Sequence, residues 1–323
     1  MPYNLCIVIV NYKTPQLLLD CLESLLPELE DNWVIAVVDN ASNDNSVTIV
    51  ENWILKHNQP DNIKLIRSPV NSGFSGGNNI GIKTVQADHY LLLNSDALVR
   101  KGAIQTMLNA ISREKKVGLI APRLEWLDGT PQESCFNYHT PISELIGSAK
   151  TGLITKIFKK FVVAQPVSEI SRPYCWVSFA CVMVKAEVFN AIGFLDEGYF
   201  MYFEDVEFCR RAKKAGWEIW QEPASHIVHL RGGSSPVKAQ AKLRKRLPRY
   251  YYESRTRFFF QAYGRVGLLC ANLLWELGWS IASFRSLLSP SYMPDTSEKQ
   301  WRDILINFLN PLKPYIHPDN YGK

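Results

Sequence analysis

The 323-residue chain has no Cys-x-x-Cys pair among its seven cysteines, no G-x-G-x-x-G and no Gly-Lys-Ser/Thr. The first absence excludes a zinc ribbon, and Cys6 and Cys181, set in apolar strand-like runs, fit reduced thiols in a cytosolic compartment. The other two exclude a dinucleotide fingerprint and a P-loop, although Asn71 to Gly81 is rich in glycine. No export signal is visible, because Leu5 to Val10 is too short for a secretory apolar core and runs directly into a turn. A clean membrane-spanning run is also missing. Val266 to Phe284 is apolar but is interrupted by Glu276 and carries Trp275 and Trp279, so an interfacial helix or a packing arm is expected there.

A hydrophobic content of 46% is enough to fill a real core, and the N-terminal half alternates short apolar runs with helical periodicity. Leu5 to Val10, Val34 to Val38, Ile63 to Ile66, Tyr90 to Leu93 and Val117 to Ala121 read as strands. Pro15 to Leu26, after the possible cap Thr14, and Ser46 to His57 read as helices. Uninterrupted apolar strands suit a mostly parallel sheet covered on both faces, so the fold class is α/β. Ligands of such sheets bind at strand C-termini. The residues there are Asn11-Tyr12, Asp39-Asn40-Ala41-Ser42 and Asn94-Ser95-Asp96, three polar ends converging on one rim. Each Asp alone could be a turn-former; their repetition at strand ends favours a ligand. The glycines of 73–81 are expected to let the backbone and Asn79 approach a ligand closely.

Charge is unevenly placed. Lys238 to Arg257 holds eight basic residues and one acid, a net +7 in a chain of +5, which leaves −2 elsewhere. With Tyr250, Tyr251, Tyr252 and Phe258 to Phe260 beside it, this segment suits an anionic membrane surface, with peripheral contact expected through 238–284. No nucleic-acid motif accompanies the basic residues, and no nucleic-acid partner is expected. The chain divides at a hinge of glycine, serine and proline over 232–236 into a catalytic unit, 1–233, and a basic, aromatic-rich helical region, 234–323.

Tyr199 to Trp217 sets Glu204 and Asp205 between an aromatic run and a helix whose core face is Phe208, Ala212 and Ala215, with Gly216 as the stop. The two carboxylates either cap that helix, or one of them, walled by Tyr199, Tyr202 and Phe203, accepts a proton from a substrate hydroxyl. His226 and His229 look like a chelating pair. Residues three apart on a strand point to opposite faces, so only one can serve an ion there, and His229, beside Gly232-Gly233, is favoured. Asp96 with His229 would suit Mn²⁺ or Mg²⁺ held jointly with substrate phosphates.

Taken in order, Ile9-Val10-Asn11-Tyr12, Val38 to Ser42, Asn71 to Phe74 with Asn78 to Gly81, Leu93 to Asp96, Gly193 to Glu197, Tyr199 to Trp217 and His229 to Ser234 resemble the family 2 glycosyltransferases of the GT-A fold. The resemblance is to bacterial rhamnosyltransferase-like enzymes of cell-surface polysaccharide assembly. It implies inverting transfer from a nucleotide diphosphate sugar, a dTDP- or UDP-sugar, to a glycan or lipid-linked acceptor. It places Asn11, Tyr12, Asp39, Asn40, Gly73, Asn79, Asn94, Ser95 and Asp96 at the donor, and assigns Asp205 as base with Glu204 in support. Asp96 becomes the metal-binding acid of a degenerate DxD motif whose first acid is replaced by Asn94, with His229 compensating. Trp176, Ser178 and Tyr202 are expected near the donor sugar or acceptor. A cytosolic enzyme using a lipid-linked acceptor would meet it at the inner face of the cytoplasmic membrane. A metal-dependent nucleotidyltransferase and a non-catalytic sugar- or membrane-binding subunit are the alternatives.

Overall fold

The computed structural model describes residues 3–57, 62–231, 237–289 and 291–321; the expected hinge at 232–236 lies outside them. Eleven strands form, in chain order β1 (Tyr3–Asn11), β2 (Trp33–Asp39), β3 (Ile63–Arg67), β4 (Ala87–Asn94), β5 (Ala97–Val99), β6 (Val117–Glu125), β7 (Cys135–Phe136), β8 (Arg172–Pro173), β9 (Trp176–Val177), β10 (Cys181–Lys185) and β11 (Glu218–His229). The helices are α1 (Pro15–Leu25), α2 (Ser46–Lys56), α3 (Gly73–Thr84), α4 (Ala103–Arg113), α5 (Pro141–Ala149), α6 (Gly152–Ile157), α7 (Ala186–Ile192), α8 (Glu204–Lys214), α9 (Val237–Lys242), α10 (Arg249–Leu288) and α11 (Gln300–Asp303).

Nine strands make one sheet in the order β3-β2-β1-β4-β10-β6-β11-β5, with β8 beside β11. β3, β2, β1, β4, β6 and β11 run one way and β10, β5 and β8 the other, so the sheet is mostly parallel. Leu5 to Ile9 and all of β2 are buried, as expected of strands covered on both faces by crossover helices. Register sets Asn11 opposite Asp39 and Val10 opposite Asn94, which brings the three polar strand ends side by side. The seven cysteines are free thiols; burial pushes those of Cys6 and Cys135 up to about 12, which leaves them inert.

Three local expectations change. Thr14 precedes α1 without capping it; its hydroxyl instead meets Asn11 Oδ1 at 3.3 Å and Ser95 Oγ at 3.5 Å. The glycine run is itself helix α3, and its glycines serve packing. A Cβ at Gly77 would lie 2.7 Å from Val10 Cγ1, and one at Gly81 2.4 Å from Val8 Cγ1, so α3 lies closer on β1 than any side chain allows. α8 ends at Lys214, before the exposed Ala215, and its buried face is Val206, Phe208, Cys209 and Ala212.

The chain forms two compact units: Met1–Phe136, Pro166–Glu197 and Phe208–Ser234 in one, and Asn137–Gln165, Gly198–Glu207 and Ser235–Lys323 in the other. The first holds the sheet. The second is helical, built on α10, which packs along α5 and is broken at Gly264 (φ 70°).

Candidate functional site

In the sheet unit, the ends of β1, β2 and β4 carry a dense polar network. Asn11 donates from Nδ2 to Asp39 Oδ1 at 3.0 Å and Ser42 Oγ at 3.2 Å. Asp39 also accepts from the Ser42 hydroxyl at 2.6 Å and the Ser42 amide at 3.1 Å. Asn40 ties this loop to the entry of α3: its Nδ2 reaches Asn71 Oδ1 and the Gly73 carbonyl, and its Oδ1 accepts from the Ser72 amide and hydroxyl. Gly73 itself starts α3 at φ 69°, a conformation open to glycine. Lys13, Ala41 and Asn43 also take left-handed backbone in the β1 and β2 end loops, a conformation that L-residues hold only where the surrounding structure imposes it. Tyr12, half-buried, has Lys13 Nζ 5.1 Å from its ring centre.

Asp96, buried at the turn from β4 to β5, lies with Oδ1 3.5 Å from His229 Nε2 at the end of β11, and accepts a backbone bond from Leu230. His229 is equally buried, and its Nδ1 has no hydrogen-bond partner among the described residues. His226 goes elsewhere, to Glu125 Oε2 at 2.9 Å, so one histidine of the pair joins Asp96 and the other does not. Two protein groups could supply only part of a divalent ion's coordination, and the remaining ligands would have to come from outside the protein. No group of three or more His, Cys, Asp and Glu exists among the described residues to hold an ion unaided.

Asn94 and Ser95 lead into this turn, Asn94 half-buried and Ser95 buried. Asn79, by contrast, is held within the protein: its Nδ2 donates to the Leu195 carbonyl and Glu197, both at 2.9 Å, and its Oδ1 accepts from the Leu195 amide. It fastens α3 to the 195–197 segment. Trp176 is buried on β9 and stacks on Phe136 at 4.2 Å, while the Ser178 amide bonds the Ser134 carbonyl. Gln132 and Arg231 are functional candidates that sequence pattern missed. Gln132 donates to the carbonyls of Glu125 and His229 and accepts from Arg231 Nε, and Arg231 lies over Trp126. No motif spacing announces Gln132, since its role depends on where β11 ends.

In the helical unit, Tyr202 (φ 72°) and Phe203 (φ 67°) place two consecutive left-handed residues directly before α8. Bulky residues hold that conformation only when their surroundings impose it. Phe203 is gripped by His139, Tyr251 and Phe258 at ring distances of 5.2 to 5.8 Å, and Tyr202 by Tyr250 and Tyr251. Burial holds the His139 imidazole down at about 4, so this ring is neutral at neutral pH. Glu204 is buried, and its Oε2 has no hydrogen-bond partner among the described residues. Burial first, and the neighbouring Asp205 charge second, push its carboxyl well above the usual range. Asp205 is half-buried and accepts from the Val206 amide at 2.8 Å. The two adjacent carboxyls therefore differ: one is sequestered, the other reachable.

The family model for Glycosyl transferase family 2 matches residues 6–145. A low-salt glycan biosynthesis hexosyltransferase of Haloferax volcanii is 30% identical over 70% of this chain and 67% of its own length. An N-acetylglucosaminyl-diphospho-decaprenol L-rhamnosyltransferase of Mycobacterium tuberculosis is 26% identical over 60% of the chain and 62% of its own length. The chain thus spans about two thirds of these curated relatives. A dTDP-rhamnosyl transferase of Shigella flexneri is 27% identical over 83% of both. Among solved structures, a mannosyltransferase of Pyrobaculum calidifontis in complex with GDP-Man and Mn²⁺ superposes with a TM-score of 0.53 at 13% identity, over 96% of this chain and 86% of that one. TarS 1-349 of S. aureus in complex with UDP gives 0.54 at 16% identity, over 97% and 80%. At such identities these two speak for the fold alone, which is GT-A.

Proposed function

Because the chain belongs to the family 2 glycosyltransferases, we propose that it transfers a sugar with inversion, rhamnose first among candidates, from a dTDP- or UDP-sugar to a hydroxyl of a glycan or lipid-linked acceptor. The setting is cell-surface polysaccharide assembly at the cytoplasmic face of the membrane. The observation that carries the reading is the buried Asp96–His229 pair beside the networked strand ends Asn11, Asp39 and Asn40.

On this reading the strand ends bind the nucleoside and diphosphate. Asp96 and His229 would hold Mn²⁺ or Mg²⁺, which supplies charge neutralisation to the departing diphosphate. Asp205 takes the proton of the acceptor hydroxyl as that oxygen forms its bond to the anomeric carbon, and the bond from that carbon to the diphosphate breaks on the opposite side. Glu204 is sequestered and favours its neutral form, and Asp205 is the more accessible member of the pair. Tyr202 and Phe203 fix where α8 begins and thereby aim Asp205. Family likeness supports Trp176 and Ser178 near the sugar or acceptor, and the 1–233 segment as the catalytic part.

The test is ligand-induced thermal stabilisation with dTDP, UDP, GDP and NAD, each with and without Mn²⁺. Stabilisation by dTDP or UDP that grows with Mn²⁺, and loses the Mn²⁺-dependent part in Asp96→Ala, is the expected result. No response to any nucleoside diphosphate overturns the proposal.

A further inference from the structure

The described part of the helical unit exposes more large apolar side chains than its own packing uses. Past the break at Gly264, α10 has a covered face, where Leu268, Ala271, Asn272, Trp275, Gly278 and Ala282 are buried. At Gly278 the approach to α5 is close enough that a Cβ would lie 2.8 Å from the Ala149 amide nitrogen. The opposite face exposes Val266, Leu269, Leu273, Leu277, Phe284 and Leu287, a stripe of helical spacing about 30 Å long at 1.5 Å per residue.

Near its C-terminal end α10 meets a second exposed apolar element. Arg285 Nη1 donates to the carbonyls of Ala149 at 3.2 Å and Lys150 at 3.1 Å, which places this end of α10 beside the start of α6. There Leu153 and Ile157 are 70% and 64% exposed, as Leu287 and Leu288 are 80% and 71% on α10. Residues 150–161 contain four lysines and no acid, and 277–289 contain Arg285 and no acid. Lys156, Lys159 and Lys160 are exposed and have no ion-pair partner among the described residues.

We propose that α6 and the C-terminal half of α10 form one seat for an anionic bilayer surface. Leu153, Ile157, Phe284, Leu287 and Leu288 enter the headgroup boundary, and Lys156, Lys159 and Lys160 bind lipid phosphates. Lys150 is paired with Asp295, so the free positive charge of the patch is that of Lys156, Lys159 and Lys160, and apolar side chains flanked by such cations are complementary to a negative interface. α10 is long and apolar enough to cross a membrane, but its covered face rests on α5, and Asn272 Oδ1 accepts from the buried Arg255. It therefore lies on the surface, with one side wet by lipid. This seat extends beyond the 238–284 stretch expected from the sequence, because α6 comes from a distant part of the chain. The proposal deepens the membrane setting proposed above and rests on it.

The experiment is co-sedimentation of the full-length protein with phosphatidylcholine vesicles, with and without phosphatidylglycerol. The expected result is binding to the anionic vesicles that weakens with salt, and roughly 10- to 100-fold lower partition for the Lys156→Gln/Lys159→Gln/Lys160→Gln variant. Leu153→Ser/Ile157→Ser should lower partition by a similar factor. Both variants change exposed side chains and should keep wild-type stabilisation by dTDP or UDP. Loss of that stabilisation in the wild type indicts the enzyme assignment rather than the seat. Binding unchanged in both variants overturns the seat. So does absent vesicle binding, including the case in which Leu153→Ser/Ile157→Ser dissociates an oligomer seen by light scattering, which would assign the patch to a second copy of this chain.

Discussion

In the sheet unit, polar side chains gather at strand ends and bond one another, while β1 and β2 bury an apolar core behind them; in the helical unit, charges are buried and leucines face outward. Asp39, Asn11, Asn40 and Ser42 are neighbours in register, and their network needs one carboxylate. The helical unit instead joins Arg255 to Glu144 and Asn272, Arg249 to Glu253, and Arg246 to Asp303. Buried charges survive only when paired, and each pair fixes which helices meet without adding much net stability. The sheet unit buries charge too, in Glu125 beside Arg100 and His226, so the contrast lies in what covers the apolar side chains: strands and crossover helices enclose them in the sheet unit, whereas the helical unit leaves a row of them exposed.

The strongest blow to this contrast falls on the acidic helix start. Asp205→Asn should lower turnover by ~10²- to 10⁴-fold with nucleotide-induced stabilisation unchanged. Steady-state kinetics beside thermal shifts decide it, and near-wild-type turnover removes Asp205 from the role of base.

Breaking one buried pair comes next. Arg255→Met strands Glu144 and should cost about 3–5 kcal/mol in urea unfolding, whereas the double variant with Glu144→Leu should recover much of that loss. Equal loss in single and double variants would show that packing, not pairing, matters there.

Packing in the sheet unit is tested by glycine. Gly81→Ala, forced against Val8, should destabilise by about 1–3 kcal/mol, whereas Gly147→Ala, exposed in α5 with open space around it, should stabilise by roughly 0.5–1 kcal/mol. Melting temperatures moving the same way in both would contradict the close seating of α3.

The smallest effect is a slope. Glu204 binds its proton more tightly folded than unfolded, so its contribution to stability is fully present below the ordinary carboxyl value and is lost as pH rises through the raised one. Glu204→Gln should flatten that fall, with melting temperatures near wild type at pH 4 and higher at pH 8. An unchanged profile would mean that Glu204 is solvated.

Strand positions, the three polar ends and the start of α8 at Glu204 were legible because periodicity and strand-end chemistry are local. The separate fates of His226 and His229 followed from strand geometry too. The internal partners of Asn79 and the close seating of Gly77 and Gly81 on β1 were not legible, because a small or amide residue reads alike whether it faces a ligand or a neighbouring strand. Gln132 gave no signal, since it matters only through the carbonyl of His229.

By itself the sequence determined the alternation of strand and helix, the family, and the acids on which the chemistry is proposed to rest, since these depend on residue type and near-neighbour spacing. Only the tertiary structure decided that residues 137–165 and 198–207 join the C-terminal region, that Glu204 is sequestered while Asp205 is not, and that α6 completes an apolar face with α10. Burial and pairing across distant segments arise from packing, and packing is settled only when the whole chain has closed on itself.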